Sequence, residues 1–350
     1  MRVLPGSTVL GAQRNEGPFL LEWIAWYLAL GFEHVLIMHN DCTDHSPQLL
    51  RLLERLGVIT QQKVVTDPAL PPQPQAHRKA ARHHLIREAD WAFTCDMDEF
   101  LVVHVGDGTV AALAEEVERV GACAMALHWR IFGTMGQEAW EDQLVHRRYT
   151  MAAPREVNQN TGLKTFTRWP GQWEFLRAHG PKNWGGPRAG DPPGTWGTPP
   201  YRIALGDGSA LDDYAPEGTA LNHTDIARVR HDMAQVNHYA LQSVEKFSLK
   251  RGVPGAGLNE TRYTDGFFRN FDWNEVEDRS ALRFSDRFDA VYRRITDIPG
   301  VLRLHHLCCA DFLTTVAEKA GHNPAEDPRI AHHRNTARQL PAPLRPAQAG

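Results

Sequence analysis

WAFTCDMDEF, residues 91–100, starts as a run of strand-forming apolar residues and ends on two aspartates, Asp96 and Asp98, spaced i and i+2. In an extended chain, side chains two positions apart emerge on the same face. Two carboxylates brought that close repel unless a cation or a proton lies between them. Hard cations such as Mg²⁺ and Mn²⁺ take oxygen ligands and keep positions for water and substrate phosphates. A strand that delivers this pair at its carboxyl end is suited to hold a metal that bridges a diphosphate. Taken alone, the triplet reads more readily as a solvated acidic turn, so its surroundings decide.

Toward the amino terminus, strand and helix patterns alternate. Ser7 to Gln13 reads as a short strand, and the RNEGP loop leads into a helix with Pro18 in its first turn. Leu20, Leu21, Ile24 and Leu28 are helix-spaced, and Gly31 stands where a carboxyl-terminal cap is expected. HVLIMHN is a second strand, and Ser46 and Pro47 open a helix that stops at Gly57. A third strand near Val58 to Val65, a Pro-rich loop and a helix from about Gln75 to Ala89 precede WAFTC. This rhythm predicts a mostly parallel sheet, whose ligands bind beyond the carboxyl ends of the strands. Three polar clusters fall at those ends: Gln13–Glu16, Asn40–Asp44 and Asp96–Glu99.

Beyond Phe100, the GDGT turn precedes a helix to about Val120, and CAMALHWRIF is a buried strand. The stretch from Gly180 to Pro200 is crowded with Gly, Pro and Trp and predicts a long loop. Helices are expected near Ser243–Lys250, Arg283–Arg294 and Leu307–Lys319, and the last thirty or so residues, rich in Pro, Ala and Arg, are expected to fray.

The 350 residues carry a formal net charge of -4 with both signs interspersed, which gives no support to a sequence-independent nucleic-acid binder. The start, MRVLPGSTVL, lacks the apolar core of a secretory signal, and the apolar stretch from Pro18 to Leu30 contains Glu22 and is too short to span a bilayer. The five cysteines form no CxxC pair and fit reduced thiols, with Cys308 and Cys309 expected as small buried apolar residues. A cytoplasmic location follows as the expectation, with peripheral contact at the inner membrane face open to a lipid-linked acceptor.

WAFTCDMDEF resembles the DxD segment of GT-A glycosyltransferases, in the branch of family 2 that is similar to family 92. QRNEGPFLLEWIAWYLALGFEHVLIMHNDCTDHS resembles that branch's amino-terminal signature, HWRIFGTMG its central strand and acceptor-side loop, and QVNHYALQSVEKFSLKRG its late Asn-His-Tyr motif. The resemblance covers roughly residues 7 to 280; His45 replaces the usual glycine in the DHS turn.

The resemblance implies an α/β GT-A fold: a Rossmann-like, mostly parallel central sheet flanked by helices, with a carboxyl-terminal helical extension. The catalytic domain would span residues 1–240, a helical region packed on it 241–320, and a flexible tail 321–350. The implied function is metal-dependent, inverting transfer from a nucleotide-sugar (a UDP-sugar first) to a glycan or lipid-linked acceptor, as in polysaccharide biosynthesis. Gln13, Arg14, Asn15 and Glu16 would line the base and ribose pocket, with Asn40 and Asp41 beside it. Arg82, Asp96, Met97, Lys164 and His179 would contact donor or acceptor. Asp96, Asp98 and His238 would hold Mn²⁺ or Mg²⁺, and Lys246, Lys250 and Arg251 would steady the departing diphosphate.

The resemblance places the general base in or near the loop after the central strand, where the acids are Glu138, Glu141 and Asp142; the WED triplet resembles the family's aromatic-plus-acid context and makes Asp142 the first choice and Glu141 the second. Trp129, Trp140, Trp169 and Trp173 would offer faces for sugar stacking, and each role has a plainer reading beside it: helix capping for Asn15 and Glu16, core packing for the tryptophans, solvation for the lysines. A nucleotidyltransferase would share the sheet and the aspartates but would carry a Gly-rich loop after the first strand, where QRNEGP has one glycine. A non-catalytic nucleotide or glycan binder is the third reading, and the missing GxGxxG disfavours a dinucleotide oxidoreductase.

Overall fold

The computed structural model describes residues 2–184, 202–212, 221–253, 255–257 and 261–343. Its first part runs β1 (Leu4–Gln13), α1 (Leu20–Leu30), β2 (Phe32–His39), α2 (Ser46–Arg55), β3 (Thr60–Lys63), α3 (Pro72–Ala80), α4 (His84–Arg87) and β4 (Trp91–Thr94). Then follow β5 (Glu99–Val103), α5 (Val110–Arg119), β6 (Ala124–Ile131), α6 (Val145–Arg148), β7 (Met151–Ala152), β8 (Leu163–Arg168), β9 (Trp173–Leu176) and β10 (Pro181–Trp184). The remainder is β11 (Ile203–Leu205), β12 (Ala234–His238), α7 (Val244–Lys250), α8 (Asp265–Phe271), β13 (Val276–Glu277), α9 (Ser285–Thr296), α10 (Val301–Lys319) and α11 (Pro328–Gln339).

The main sheet has the order β3-β2-β1-β4-β8-β6-β12-β5, and β11 pairs with the first half of β6. The β1–β2, β2–β3, β1–β4, β6–β11 and β6–β12 pairs are parallel. Two strands run against the rest: β8 between β4 and β6, and β5 on the outer edge of β12. The mostly parallel α/β sheet expected from the alternation is therefore present. Reversing β8 sets its first residues at the carboxyl ends of β4 and β6, and this places Lys164 in the crevice.

α1 shows why an apolar stretch with one glutamate is a core helix. Every residue but Leu28 is buried, Gly31 caps it with φ 97°, and the Gly31 N–H donates to Leu28 O. Glu22 is buried with them because its carboxylate accepts hydrogen bonds from Val145 N at 2.8 Å, His146 N at 3.0 Å and His146 Nδ1 at 2.6 Å. It thereby satisfies the free donors at the start of α6. None of the described helices is long and apolar enough to cross a membrane, and the five cysteines are all unpaired.

Four expectations change. The helix expected over 75–89 is two pieces, because the His83 ring nitrogen accepts from Leu85 N and starts a new helix. Of the loop expected from Gly180 to Pro200, Pro181–Trp184 is a strand antiparallel to β9, and residues 185–200 lie outside the described residues. α10 begins at Val301, a turn and a half earlier than expected. The tail expected over 321–350 contains α11, opened by the Asp327 side chain accepting from Arg329 N and by Pro328 in the first turn. Ile330, His333 and Ala337, at helix spacing, are its buried face, and it packs on α10; residues 344–350 lie outside the described residues.

Glu22→Ala is expected to strand buried donors and cost about 2–4 kcal/mol, with Glu22→Gln losing distinctly less. Denaturant unfolding of the three proteins measures the order.

Candidate active site

The carboxyl ends of β1, β2, β4 and β12 and the start of β8 meet at one edge of the sheet, and the acidic turn lies there. Three backbone groups hold the turn: Trp23 Nε1 donates to Asp96 O at 2.9 Å, Tyr239 N to Asp98 O at 2.9 Å, and Asp96 N to Glu99 Oε2 at 3.0 Å. Met97, between the aspartates, points the other way into the core and is 3% exposed. Its side chain is thus packing, which corrects the expected contact with donor or acceptor.

Lys164, fully buried, lies 2.9 Å from Asp96 Oδ2 and 3.0 Å from Glu99 Oε2. Burial would lower its ammonium pKa, but the two carboxylates outweigh burial and hold it well above the ordinary lysine value. Burial pushes the Glu99 carboxyl up to about 7, against the opposing pull of Lys164. Gln73 Nε2 donates to Asp96 Oδ1 at 2.6 Å, so both Asp96 oxygens have a partner. Nothing in the Pro-rich stretch around Gln73 marks it for this place, and sequence reasoning missed it.

Asp98 is held differently. Its Oδ2 accepts from Lys250 Nζ at 2.9 Å, and its Oδ1 faces His238 Nε2 at 3.7 Å. Burial works against its charge, yet Lys250, His238 and Lys246 carry its pKa far below the usual carboxylate range. Burial lowers His238 to about 4, so its ring is neutral at pH 7. Lys246 is buried, its Nζ is 4.4 Å from the Phe19 ring centre, and no hydrogen-bond partner for it stands among the described residues. Burial first, then Lys250, brings its pKa down to about 8. Trp129 lies between His238 and His179, with ring centres 4.5 and 5.5 Å away, and His179 Nδ1 pairs with Leu163 O at 2.9 Å.

A divalent cation fits this donor set at one pair of atoms. Asp98 is a firm carboxylate and His238 a neutral imidazole, and the two atoms face each other with no lysine between them. Asp96 does not close a third position: among the described residues, the acidic turn gathers no three ligand atoms of this kind within 4.8 Å of one another. One carboxylate and one imidazole leave most of a six-coordinate shell to water and phosphate oxygens, as Mg²⁺ and Mn²⁺ tolerate.

The loops beyond β1 and β2 are tied together rather than open. Asn15 Oδ1 accepts from Thr43 N at 2.8 Å, and Gln13 bridges Glu16 N and Ser46 Oγ. Asn15 and Asp41 both sit in the left-handed region, at φ 56° and 44°, which shows that these loops are held by their surroundings. Asp41 accepts from Asn40 Nδ2 and Thr66 Oγ1, and those hydrogen bonds lower its pKa. His45, in place of the usual glycine, has an ordinary φ of -78° and pairs with Asp311 of α10 at 2.6 Å, so no glycine is required there. Arg14 and Arg82 are exposed, Arg82 in the turn between α3 and α4 rather than on a helix.

The two acids expected to act as base are elsewhere. Both oxygens of Asp142 lie against His305 Nε2 of α10, at 3.0 and 3.1 Å, and Glu141 is exposed, accepting from Gln143 at 2.7 Å. Neither shares a hydrogen bond or ion pair with Asp96 or Asp98. Of the tryptophans considered as sugar platforms, Trp140 and Trp173 are core residues.

Lys164→Met is expected to leave two facing carboxylates uncompensated and cost about 3–5 kcal/mol. Adding Glu99→Gln to it recovers part of the loss, which thermal unfolding of the single and double variants measures.

The family model described as Glycosyltransferase family 92 matches residues 13–184, just under half of the chain. No curated protein matches it. A crystal structure of S. aureus TarS with UDP aligns at 14% identity over 48% of this chain and 47% of that one, with a TM-score of 0.30. The chain thus spans about half the length of that relative. TarS with UDP-GlcNAc aligns at 11% identity over 97% of this chain and 92% of that one, at 0.32. A putative glucose-1-phosphate thymidylyltransferase from Bacillus anthracis, in complex with a sucrose, aligns at 10% over 47% and 71%, at 0.29. The stretch from the end of β1 into β10, with the acidic turn and Lys164 inside it, is the part of the chain that is similar to glycosyltransferase family 92.

Proposed function

We propose that the chain is a glycosyltransferase moving a sugar from a nucleotide-sugar, a UDP-sugar in the first instance, to a hydroxyl of a glycan or lipid-linked acceptor. The observation that carries this reading is that the family 92 segment delivers Asp98 to the crevice edge of the sheet, where His238 and two lysines meet it. The nucleotide would lie along the tied loops of Gln13–Glu16 and Asn40–Asp41. A hollow of about 190 Å³, lined in part by Asn15, Thr43, Asp44 and Leu249, opens beside them.

The diphosphate would lie over Asp98. Asp98 and His238 would hold Mn²⁺ or Mg²⁺, which supplies Lewis-acid polarisation of the leaving group when bound. Lys246 supports a phosphate-binding role because its buried ammonium has donors to spare. Lys250 holds Asp98 in its charged form, and Lys164 fixes Asp96 by neutralising it. An inverting displacement also needs a carboxylate to take the acceptor proton. Asp142 and Glu141 would serve only for an acceptor reaching over to the α10 side. Glu16 is the better placed candidate: it shares the field of Asp98 and Lys246, and burial raises its pKa. Acceptors at a membrane surface would be met by peripheral contact.

The test is a panel of nucleotide-sugars assayed for transfer and hydrolysis with Mn²⁺, with and without chelator. One nucleoside diphosphate sugar is expected to be preferred, with turnover lost on chelation. Asp98→Asn should cut kcat by at least about 100-fold when assayed well below its unfolding midpoint, which should itself fall because Lys250 loses its carboxylate partner. Chelator-resistant turnover, or an active Asp98→Asn protein, sinks the metal-dependent reading. Lys246→Met should weaken UDP binding more than nucleoside binding, which calorimetry separates.

A further inference from the structure

Away from the acidic turn, a second set of metal-type side chains converges where α10, α11 and the loop before α6 meet. Ligand atoms of Asp142, Cys309 and His333 all lie within 4.8 Å of one another. His305 Nε2 joins two of them, 3.0 Å from Asp142 Oδ1 and 3.5 Å from Cys309 Sγ. His305 and Cys309 are four apart on α10 and so share one face of the helix. Cys309, His305 and His333 are buried, at 0%, 5% and 6% exposure, while Asp142 reaches solvent and leaves an entry path.

We propose that these four residues form a structural zinc site, with Asp142, Cys309 and His333 as ligands and His305 as the fourth. The set mixes a thiolate, imidazoles and one carboxylate, which suits zinc and not Mg²⁺ or Ca²⁺. Tetrahedral zinc with ordinary bond lengths separates a sulfur and a nitrogen ligand by about 3.6 Å, and Cys309 and His305 already stand at that separation. His305 Nδ1 has no partner among the described residues, so the only polar anchor of its ring is the nitrogen turned toward Asp142 and Cys309. His306 Nδ1 lies 2.9 Å from His333 Nδ1, an outer contact of the kind that orients a ligating imidazole.

The protons balance simply. Without a cation, burial and the neighbouring Asp142 carboxylate keep the Cys309 thiol protonated. Zinc binding forms the zinc–sulfur bond and releases the thiol proton to solvent; the hydrogen that His305 Nε2 shares with Asp142 also leaves that nitrogen, and the ligating imidazole keeps its one N–H at Nδ1. The site would join three segments distant in sequence, and it gives Asp142 a structural role in place of a catalytic one.

The experiment uses the full chain in its parent form and as Asp98→Asn, so that a cation at the acidic turn does not count. Purified protein, dialysed against metal-free buffer, is analysed for zinc; a metal-stripped sample is titrated with Co²⁺. About one equivalent of zinc is expected in both proteins. The cobalt form should show a thiolate-to-metal charge-transfer band and tetrahedral visible bands. Cys309→Ser should abolish the charge-transfer band, Cys308→Ser should retain it, and His306→Phe should weaken affinity by about 10–100-fold. If Cys309→Ser fails to fold, His333→Gln with its visible bands is the second reading. Substoichiometric zinc, an octahedral cobalt spectrum in the folded parent, or a band indifferent to both Cys309→Ser and His333→Gln overturns the proposal. None of these outcomes depends on transferase activity.

Discussion

One buried ammonium organises the functional edge of the sheet. Lys164 Nζ sits against Asp96 and Glu99 in a place with no solvent on the lysine side. An isolated charge there would be prohibitively costly, so the three groups tolerate burial only together. The arrangement depends on β8 running against its neighbours, because only that direction sets the start of the strand beside the end of β4. Topology and electrostatics are one constraint here.

The wider site is close to electrical balance. Glu16, Asp96, Asp98 and Glu99 face Lys164, Lys246 and Lys250, and burial moves Glu99 toward its neutral form. A diphosphate entering a balanced crevice brings negative charge that these lysines have largely spent on carboxylates. On the function proposed above, a divalent cation would arrive with the donor and be held where Asp98 and His238 face each other. Lys246, with no hydrogen-bond partner among the described residues and its pKa lowered to about 8 by burial, would adjust the remainder.

The alternation that leads into WAFTCDMDEF was enough to read the parallel sheet and its crevice, because strand and helix periodicities differ and the strand ends are punctuated by polar clusters. It could not reveal the reversed β8, whose sequence LKTFTR looks like any strand. Nor could it separate a clamp from a ligand: Asn15 has the residue type of a nucleotide contact and spends its side chain on Thr43. The surroundings of Asp142 were illegible for a related reason. The WED context describes neighbours in sequence, and the partner that decides its role, His305, is distant in the chain. α11 is the opposite case, since Asp327–Pro328 and the apolar spacing after it were legible but masked by a Pro- and Arg-rich composition.

α10 packs on α2 and α7 and on the turn that opens α1. A side chain on Gly17 would strike Cys308, and His45 leans on Asp311. The loops that would receive the nucleotide are thus braced by α10, a helix that follows them far later in the chain. A nascent chain emerging from the ribosome would carry the sheet and the acidic turn well before it carried the brace. The crevice therefore matures late, and an incomplete polypeptide would hold its charged groups without the rigidity to use them.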